Sequence, residues 1–451
     1  MGRIKVALIG AGSRSFGPAT VGDLLLSHTL AGRGLELRLM DIAPAHLAEA
    51  ETQARDAARR AGHEVEIAAT PSLEEAVAGA DFVVAAIEVD RYTYWAQDFH
   101  IAREHGFRQV YGENGGPGGL FHALRNMGPT VEIARAMERL CPGAPLLNYT
   151  NPEHKLCEAV SRLTAVQAVG LCHGVFMGRR QIAGILGMAE ADLETAACGV
   201  NHFTWFTRIR DRHTGEDLYP RLRQAEREGD WLSQWHELGL SRVLLRRFGL
   251  WPSPGANHCG EYIRWAEEFV ASQLQFYYDP MDGEPESRGL VPELIYSLAR
   301  DPTARPWRRP EAAAPAAGAA ARAPLRASGE LAVPIMEALC GAGALAAPAV
   351  NVPNQGAMPD LPDDMVVEIP AAVDVAGLQR PRLDALPEAI AAMLRLQGSI
   401  QKLLVEAYAE ASREKLLQAL LLDPTVDSYR RAVTYMNEML RRQAHILPPL
   451  R

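Results

Sequence analysis

Short apolar runs and longer amphipathic stretches alternate through the first part of the chain. Ile4–Ile9 is followed by a helix-like segment reaching Leu26, then by a second run, Leu35–Met40, and by helical periodicity over Ala45–Ala61. Val65–Ala68, the helical pattern Leu73–Ala78 and the run Phe82–Ile87 continue the rhythm, which returns at Leu146–Asn148 and Ala168–Leu171. Strands alternating with helices predict a parallel sheet covered on both faces, a doubly wound α/β fold. Beyond about Ala196 the rhythm changes. Val200–Arg208 has the character of antiparallel strand, whereas Trp231–Phe248 and Leu383–Ala411 look helical, so this half reads as mixed α+β without an internal repeat.

The organisation expected is a Rossmann-type domain over residues 1–195, followed by an α+β substrate, metal and oligomerisation domain over 196–451. The lactate and malate dehydrogenases share this kind of architecture. Residues 303–329 are rich in Ala, Pro and Arg and read as a flexible surface loop, after which the helical pattern resumes at Leu331–Cys340.

Composition narrows the function. The 451 residues, with 48% hydrophobic and 22% charged, suit a two-domain globular enzyme. The net charge of −9 is spread along the chain, against a nucleic-acid partner, which recruits concentrated Lys and Arg. No run approaches the roughly 18 apolar residues of a membrane span. Ile4–Ile9 is too short for a signal-peptide core, so the expected location is cytoplasmic. The six cysteines show no CxxC spacing, which argues against a disulfide framework or a four-thiolate zinc knot.

The first strand runs into Gly10-Ala11-Gly12-Ser13-Arg14-Ser15-Phe16. Glycines there allow a tight turn and a close approach to a pyrophosphate seated at the next helix N-terminus. Ser15 stands where a third glycine is usual, so the fingerprint is incomplete. Asp41, closing the second run, can bind the adenosine ribose hydroxyls and would repel a 2′-phosphate, favouring NAD over NADP. The bland alternative is a turn that needs glycine beside a solvated acid.

Two further segments place polar residues at strand ends, around Cys172-His173 and around Asn201-His202. A thiolate with an imidazole suits a borderline divalent metal with open positions for substrate. Equally, a cysteine is commonly a core residue and a lone histidine structural. The residue types alone leave both open.

The succession of motifs resembles glycoside hydrolase family 4: Gly10-x-Gly12-Ser13, Asn148-Tyr149-Thr150-Asn151-Pro152, Gly170-Leu171-Cys172-His173-Gly174, Gly199-Val200-Asn201-His202, Val350–Gly356, Val366–Pro370 and Val373-Asp374. That resemblance implies Cys172 and His202 as metal ligands, usually for manganese, and Asn151 as a sugar-binding residue. Gly112–Gly119 resembles the family's glycine-rich substrate loop, with Glu113 supporting the catalytic base. The base itself matches Tyr262. A residue of an ordinary amphipathic helix over Tyr262–Phe269 is the alternative reading. Glu113 could equally cap a turn, and His258 and Glu261 could merely stabilise their segment.

The implied chemistry departs from the two-carboxylate glycosidase scheme. NAD⁺ takes hydride from sugar C3, Tyr262 removes the acidified C2 proton, the C1 substituent is eliminated, water adds, and the hydride returns. His173, next to the metal cysteine, is the candidate acid at the leaving oxygen. Phosphosugar members resemble Cys-Asp or Cys-Asn at this point, whereas Cys-His resembles members acting on unphosphorylated α-glycosides. Gln97 also falls where phosphosugar enzymes carry an arginine. An unphosphorylated hexoside or hexuronide is therefore expected, of α-glucosidase or α-galactosidase type, with the enzyme a homodimer or homotetramer. The alternatives are a 2-hydroxy acid dehydrogenase of the lactate and malate type, which would accumulate NADH, and a family 4 enzyme for phosphorylated sugars.

Overall fold

The computed structural model describes residues 3–13, 16–62, 65–228, 238–269, 273–275, 293–295 and 325–451. Its strands are β1 (Ile4–Ile9), β2 (Leu35–Met40), β3 (Glu66–Thr70), β4 (Phe82–Ala85), β5 (Leu146–Asn148), β6 (Ala168–Gly170), β7 (Leu193–Val200), β8 (Phe203–Asp211), β9 (Trp251–Ser253), β10 (Gln273–Gln275), β11 (Glu293–Ile295), β12 (Leu345–Pro353), β13 (Val366–Asp374) and β14 (Gly377–Gln379). Between them lie α1 (Gly17–Leu26), α2 (His28–Ala31), α3 (Pro44–Ala61), α4 (Leu73–Val77), α5 (Arg91–Glu104), α6 (Gly116–Leu140), α7 (Glu153–Leu163), α8 (Gly174–Leu186), α9 (Tyr219–Glu228), α10 (Gly239–Phe248), α11 (Ala256–Cys259) and α12 (Ala332–Leu339). Three helices follow the last strand: α13 (Glu388–Ala409), α14 (Arg413–Leu422) and α15 (Tyr429–Arg442).

One sheet runs β3-β2-β1-β4-β5-β6-β12-β13-β7-β8-β9, with β14 beside β13, while β10 and β11 pair only with each other. The first six strands are parallel, in the doubly wound order with its switch point between β1 and β4. Burial on both faces explains why β4 is a continuous apolar run without alternation. The expected Rossmann-type sheet is thus present. From β6 onward every pairing is antiparallel.

Three expectations change. Val200–Arg208 is antiparallel strand as expected but is divided, with β7 ending at Val200, a turn at Asn201 and His202, and β8 starting at Phe203. Gly112–Gly119 is only half a loop, because α6 begins at Gly116 and runs for 25 residues. Its glycines serve contact: a Cβ at Gly118 would sit 2.6 Å from the Asp98 carbonyl oxygen of α5. The stretch Tyr262–Phe269 is not an α-helix; single 3₁₀ turns cover Gly260–Tyr262 and Ala266–Glu268. Of the predicted helix Trp231–Phe248, the described part forms α10. Residues 303–324 of the Ala/Pro-rich segment lie outside the described residues, and Ser328 bonds Asp23 through backbone and hydroxyl.

Candidate active site

The carboxyl ends of β1, β4, β5 and β6 open onto one crevice, where ligands bind in open α/β sheets. At its cofactor end, Gly10 adopts φ +82°, and a Cβ there would lie 2.3 Å from the Ala86 carbonyl oxygen. Gly12 donates its N–H to Asp41 Oδ2 at 2.9 Å, and Ala43 N–H reaches Oδ1. Asp41 therefore locks the turn, and its remaining lone pairs are free in number to accept ribose hydroxyls. Ser13 accepts Phe16 N–H at 3.3 Å, while Ser15 lies outside the described residues. The sequence reading overlooked Gly17. A side chain there would meet the Ala11 carbonyl at 2.4 Å, so Gly17 is the third close-packing glycine of the turn.

Farther along the crevice, polar side chains converge from distant segments. Glu113 and Asn114, just before α6, donate backbone N–H groups to Glu261 Oε1 at 2.5 and 2.9 Å. Asn114 Nδ2 reaches Asn201 Oδ1 at 2.9 Å and Asn151 Oδ1 at 3.4 Å, and Asn126 holds the Asn151 carbonyl. Asn201 is a hub. It also bonds Glu368 at 3.4 Å and the Cys172 thiol, and its carbonyl accepts the Tyr262 hydroxyl at 3.1 Å.

Tyr262 is buried, with its ring stacked 5.1 Å from Phe203 and the Lys155 ammonium 5.7 Å from its centroid. Burial and the neighbouring Glu261 carboxylate push its phenol well above the ordinary range. Lys155, itself buried, donates to the Asn114 carbonyl at 2.5 Å and contacts His154 at 3.0 Å. Burial draws its ammonium down to about 8.

His202 sits in the β7–β8 turn with φ +65°, a conformation unusual for a residue with a side chain and frequent at functional sites. One ligand atom each from Glu113, His202 and His258 lies within 4.8 Å of the others. His202 is 5% exposed, and its Nδ1 has no hydrogen-bond partner; Glu261 Oε2, also unpartnered, is 3.9 Å away. Burial and nearby cations lower His202 to about 4 despite Glu113; burial and His202 lower His258 to about 3. For Glu113 burial acts against charge, but the paired Arg91 guanidinium prevails and holds the carboxyl at about 2. Two neutral imidazoles facing a carboxylate are what a divalent cation requires. Cys172 is not in this trio; it is half-buried, accepts Gly174 N–H at 3.3 Å, and burial with Glu153 raises its thiol.

His173 is exposed on the crevice rim, its Nδ1 3.6 Å from Glu330, and that contact raises its pKa. Gln97 is buried and accepts a hydrogen bond from Gln443. The sequence reading noted Asn201 and Glu261 without a site role, and it passed over Asn114, Lys155 and the buried set Glu153, Asn351 and Glu368. Charged residues inside the otherwise packed face of α7 were the available signal for Glu153 and Lys155.

Comparison with known proteins agrees with this geometry. The model of family 4 glycosyl hydrolases matches residues 5–188, and that of the family's C-terminal domain matches 197–426. An alpha-glucosidase of Erwinia rhapontici is 31% identical, covering 97% of this chain and 98% of its own. An alpha-galactosidase of Bacillus subtilis is 30% identical over 93% of each. A solved 6-phospho-alpha-glucosidase from gut microorganisms, in complex with NAD and Mn²⁺, shares the fold, with a TM-score of 0.77, 22% identity and full coverage of both chains. The hairpin that delivers His202 and the turn that delivers Cys172 fall within these matches, and the chain belongs to glycosyl hydrolase family 4.

Proposed function

We propose that this hydrolase cleaves unphosphorylated hexosides, of α-glucosidase or α-galactosidase type, using NAD⁺ and a divalent cation, most favourably Mn²⁺. The observation that carries the reading is the meeting, along one crevice, of a glycine turn built for a pyrophosphate and a buried Glu113–His202–His258 cluster. Both halves fit their groups. Side chains at Gly10 and Gly12 would collide with Ala86 and with His46 and Asp41, so the glycines keep the turn tight, and one ligand atom each from Glu113, His202 and His258 lies within 4.8 Å of the others. The names of the two relatives above, neither a phosphosugar enzyme, support the substrate class, as does Cys172-His173.

Bound NAD⁺ supplies a reversible hydride acceptor for sugar C3. A divalent cation, which Cys172 and His202 would hold, would supply Lewis-acid charge to stabilise the anion formed on the sugar. The chain's own residues do the rest. Asn151, fixed by Asn114 and Asn126, orients the ring; Tyr262 first releases to solvent the hydroxyl proton it shares with the Asn201 carbonyl, a loss the positive charge of a bound cation would favour against burial, and then as phenolate takes the C2 proton. Glu113 fixes the loop packed against Glu261, the residue before that base. The exposed imidazole of His173, kept protonated to higher pH by Glu330, gives its proton to the departing C1 oxygen. Among the described residues no helix is long and apolar enough to cross a membrane, and all six cysteines are free. A cytoplasmic homodimer or homotetramer, with residues 1–195 as the cofactor domain and 196–451 as the substrate and assembly domain, completes the proposal.

The test is a panel of nitrophenyl glycosides, with and without 6-phosphate, assayed with NAD⁺, Mn²⁺ and reductant. Cleavage of an unphosphorylated α-hexoside without accumulating NADH is expected. Turnover confined to phosphorylated sugars, or undiminished after removal of both NAD⁺ and metal, would refute it.

A further inference from the structure

We propose that His258 and Glu113 bind the same divalent cation as His202, with Asn257 and Glu261 orienting the two imidazoles. The inference rests on the reading that this crevice takes a metal, and it enlarges the ligand set beyond Cys172 and His202. His258 comes from α11, His202 from the β7–β8 turn and Glu113 from the loop before α6. These segments share no local reason to bring such groups together.

The arrangement around the trio follows the logic of metal sites. The rings of His202 and His258 meet edge to face, with centroids 4.4 Å apart and planes at 81°. His258 directs Nδ1 to Asn257 Oδ1 at 2.9 Å, leaving Nε2 for a ligand. His202 directs Nδ1 toward Glu261 Oε2 at 3.9 Å, which likewise leaves its Nε2. An acceptor oxygen at one ring nitrogen with metal on the other is the common way a protein fixes an imidazole tautomer. Glu261 is in turn fixed through Oε1 by the backbone of Glu113 and Asn114, so the carboxylate that faces His202 Nδ1 is held by the acidic ligand's own loop. Metal–ligand bonds of about 2.0–2.2 Å separate opposite ligands by about 4 Å. The observed spacing, within 4.8 Å, therefore needs only a small contraction.

Bland roles explain less. An ordinary structural histidine at this burial satisfies both ring nitrogens, yet His202 Nδ1 and Glu261 Oε2 face each other unpartnered. Glu113 does have a cation, Arg91, but that guanidinium also serves Glu88.

The experiment loads chelator-treated full-length enzyme with Mn²⁺ and measures affinity by competition with a fluorescent chelator, without substrate. His258→Gln should weaken binding at least about tenfold, the lower end of what losing even an outer partner costs. Glu261→Gln should weaken it less. Thermal unfolding of the metal-free variants controls for misfolding. A second measurement needs no variant: electron spin echo modulation of Mn²⁺ in wild-type enzyme carrying ¹⁵N-histidine should show two coordinated imidazoles. Unchanged affinity in His258→Gln together with a single coupled imidazole would overturn the inference while leaving a Cys172–His202 site intact. Failure of wild-type enzyme to take up Mn²⁺ would overturn the underlying reading as well.

Discussion

Gly10 and Gly62 both occupy the left-handed region, at φ +82° and +69°, but their surroundings differ. Gly62 caps α3, and a Cβ added there would meet nothing within 4 Å, whereas one on Gly10 would face the Ala86 carbonyl oxygen at 2.3 Å and its carbon at 2.8 Å. Alanine in this backbone region costs about 1–2 kcal/mol, of which about 0.4–1 kcal/mol returns through a less flexible unfolded chain. Gly62→Ala should therefore destabilise by about 1 kcal/mol. Gly10→Ala adds the cost of forcing two backbones apart, about 1–3 kcal/mol on the scale of overpacked cores. The total is about 2–4 kcal/mol. Ala86 donates its N–H to Ile9, so the displacement spreads into the β1–β4 switch point where the cofactor is to lie. NAD⁺ affinity should then drop more than tenfold, since each decade is only about 1.4 kcal/mol. Urea midpoints of both variants and calorimetric NAD⁺ titration measure the two effects. If Gly10→Ala matched Gly62→Ala in stability and wild type in NAD⁺ affinity, the argument from close approach would be wrong.

Cys172→Ser keeps size but offers a poorer ligand, so metal content should drop while the melting temperature of the metal-free protein changes little; full metal content would make Cys172 a core thiol. Tyr262→Phe loses one hydrogen bond to Asn201, worth about 1 kcal/mol, but should slow turnover by about 10²–10⁴-fold. Wild-type hydrolysis in D₂O should leave deuterium at C2, and product lacking it would favour direct displacement at C1. Glu330→Gln removes the contact that raises His173, so the imidazole deprotonates at lower pH. Because a general acid must carry its proton, the alkaline limb of kcat/KM should move to lower pH, with the same displacement of the His173 ring signals in an NMR titration. An unmoved limb would assign the acid elsewhere.

The parallel half was legible because its strands are buried on both faces and leave strongly apolar runs, broken only by Lys5 in Ile4–Ile9 and unbroken in Phe82–Ala85. α5 was not, since most of its described side chains are buried and no polar stripe marks a period. α6 was hidden by Gly116-Pro117-Gly118-Gly119, a composition of loops that here serves close packing. Asp41 and Gly10 could be read locally, for their partners lie at a turn of fixed spacing. Glu261 could not. Its partner at Glu113 is 148 positions away, and no pattern in either segment announces the other.

The joint between the two halves of the sheet brings the proposed site's residues together. Gly170 of β6 stands opposite Asn351 of β12, Asn351 opposite Glu368 of β13, and Glu368 opposite Gly199 of β7. A single rung thus crosses from the last parallel strand to the hairpin that presents His202. Asn351 donates to Glu153 at 2.6 Å and to Glu368 at 3.3 Å, and Thr204 bonds the same Glu368. Gly170 is required there, because a side chain would sit 2.5 Å from Glu153 Oε1. Burial raises both acids, and Glu368 raises Glu153 further; Asn351 and Thr204 supply the donors that hold the rung together. Buried polar groups of this kind are costly when unsatisfied and specify register when satisfied. A slip of one residue in β12 or β13 would invert their faces and expose the unmatched acids to the core. The network therefore fixes the hairpin against the cofactor sheet. In this way a fold whose parallel strands deliver Cys172 and Asn151 acquires an imidazole from the antiparallel side, at the same crevice.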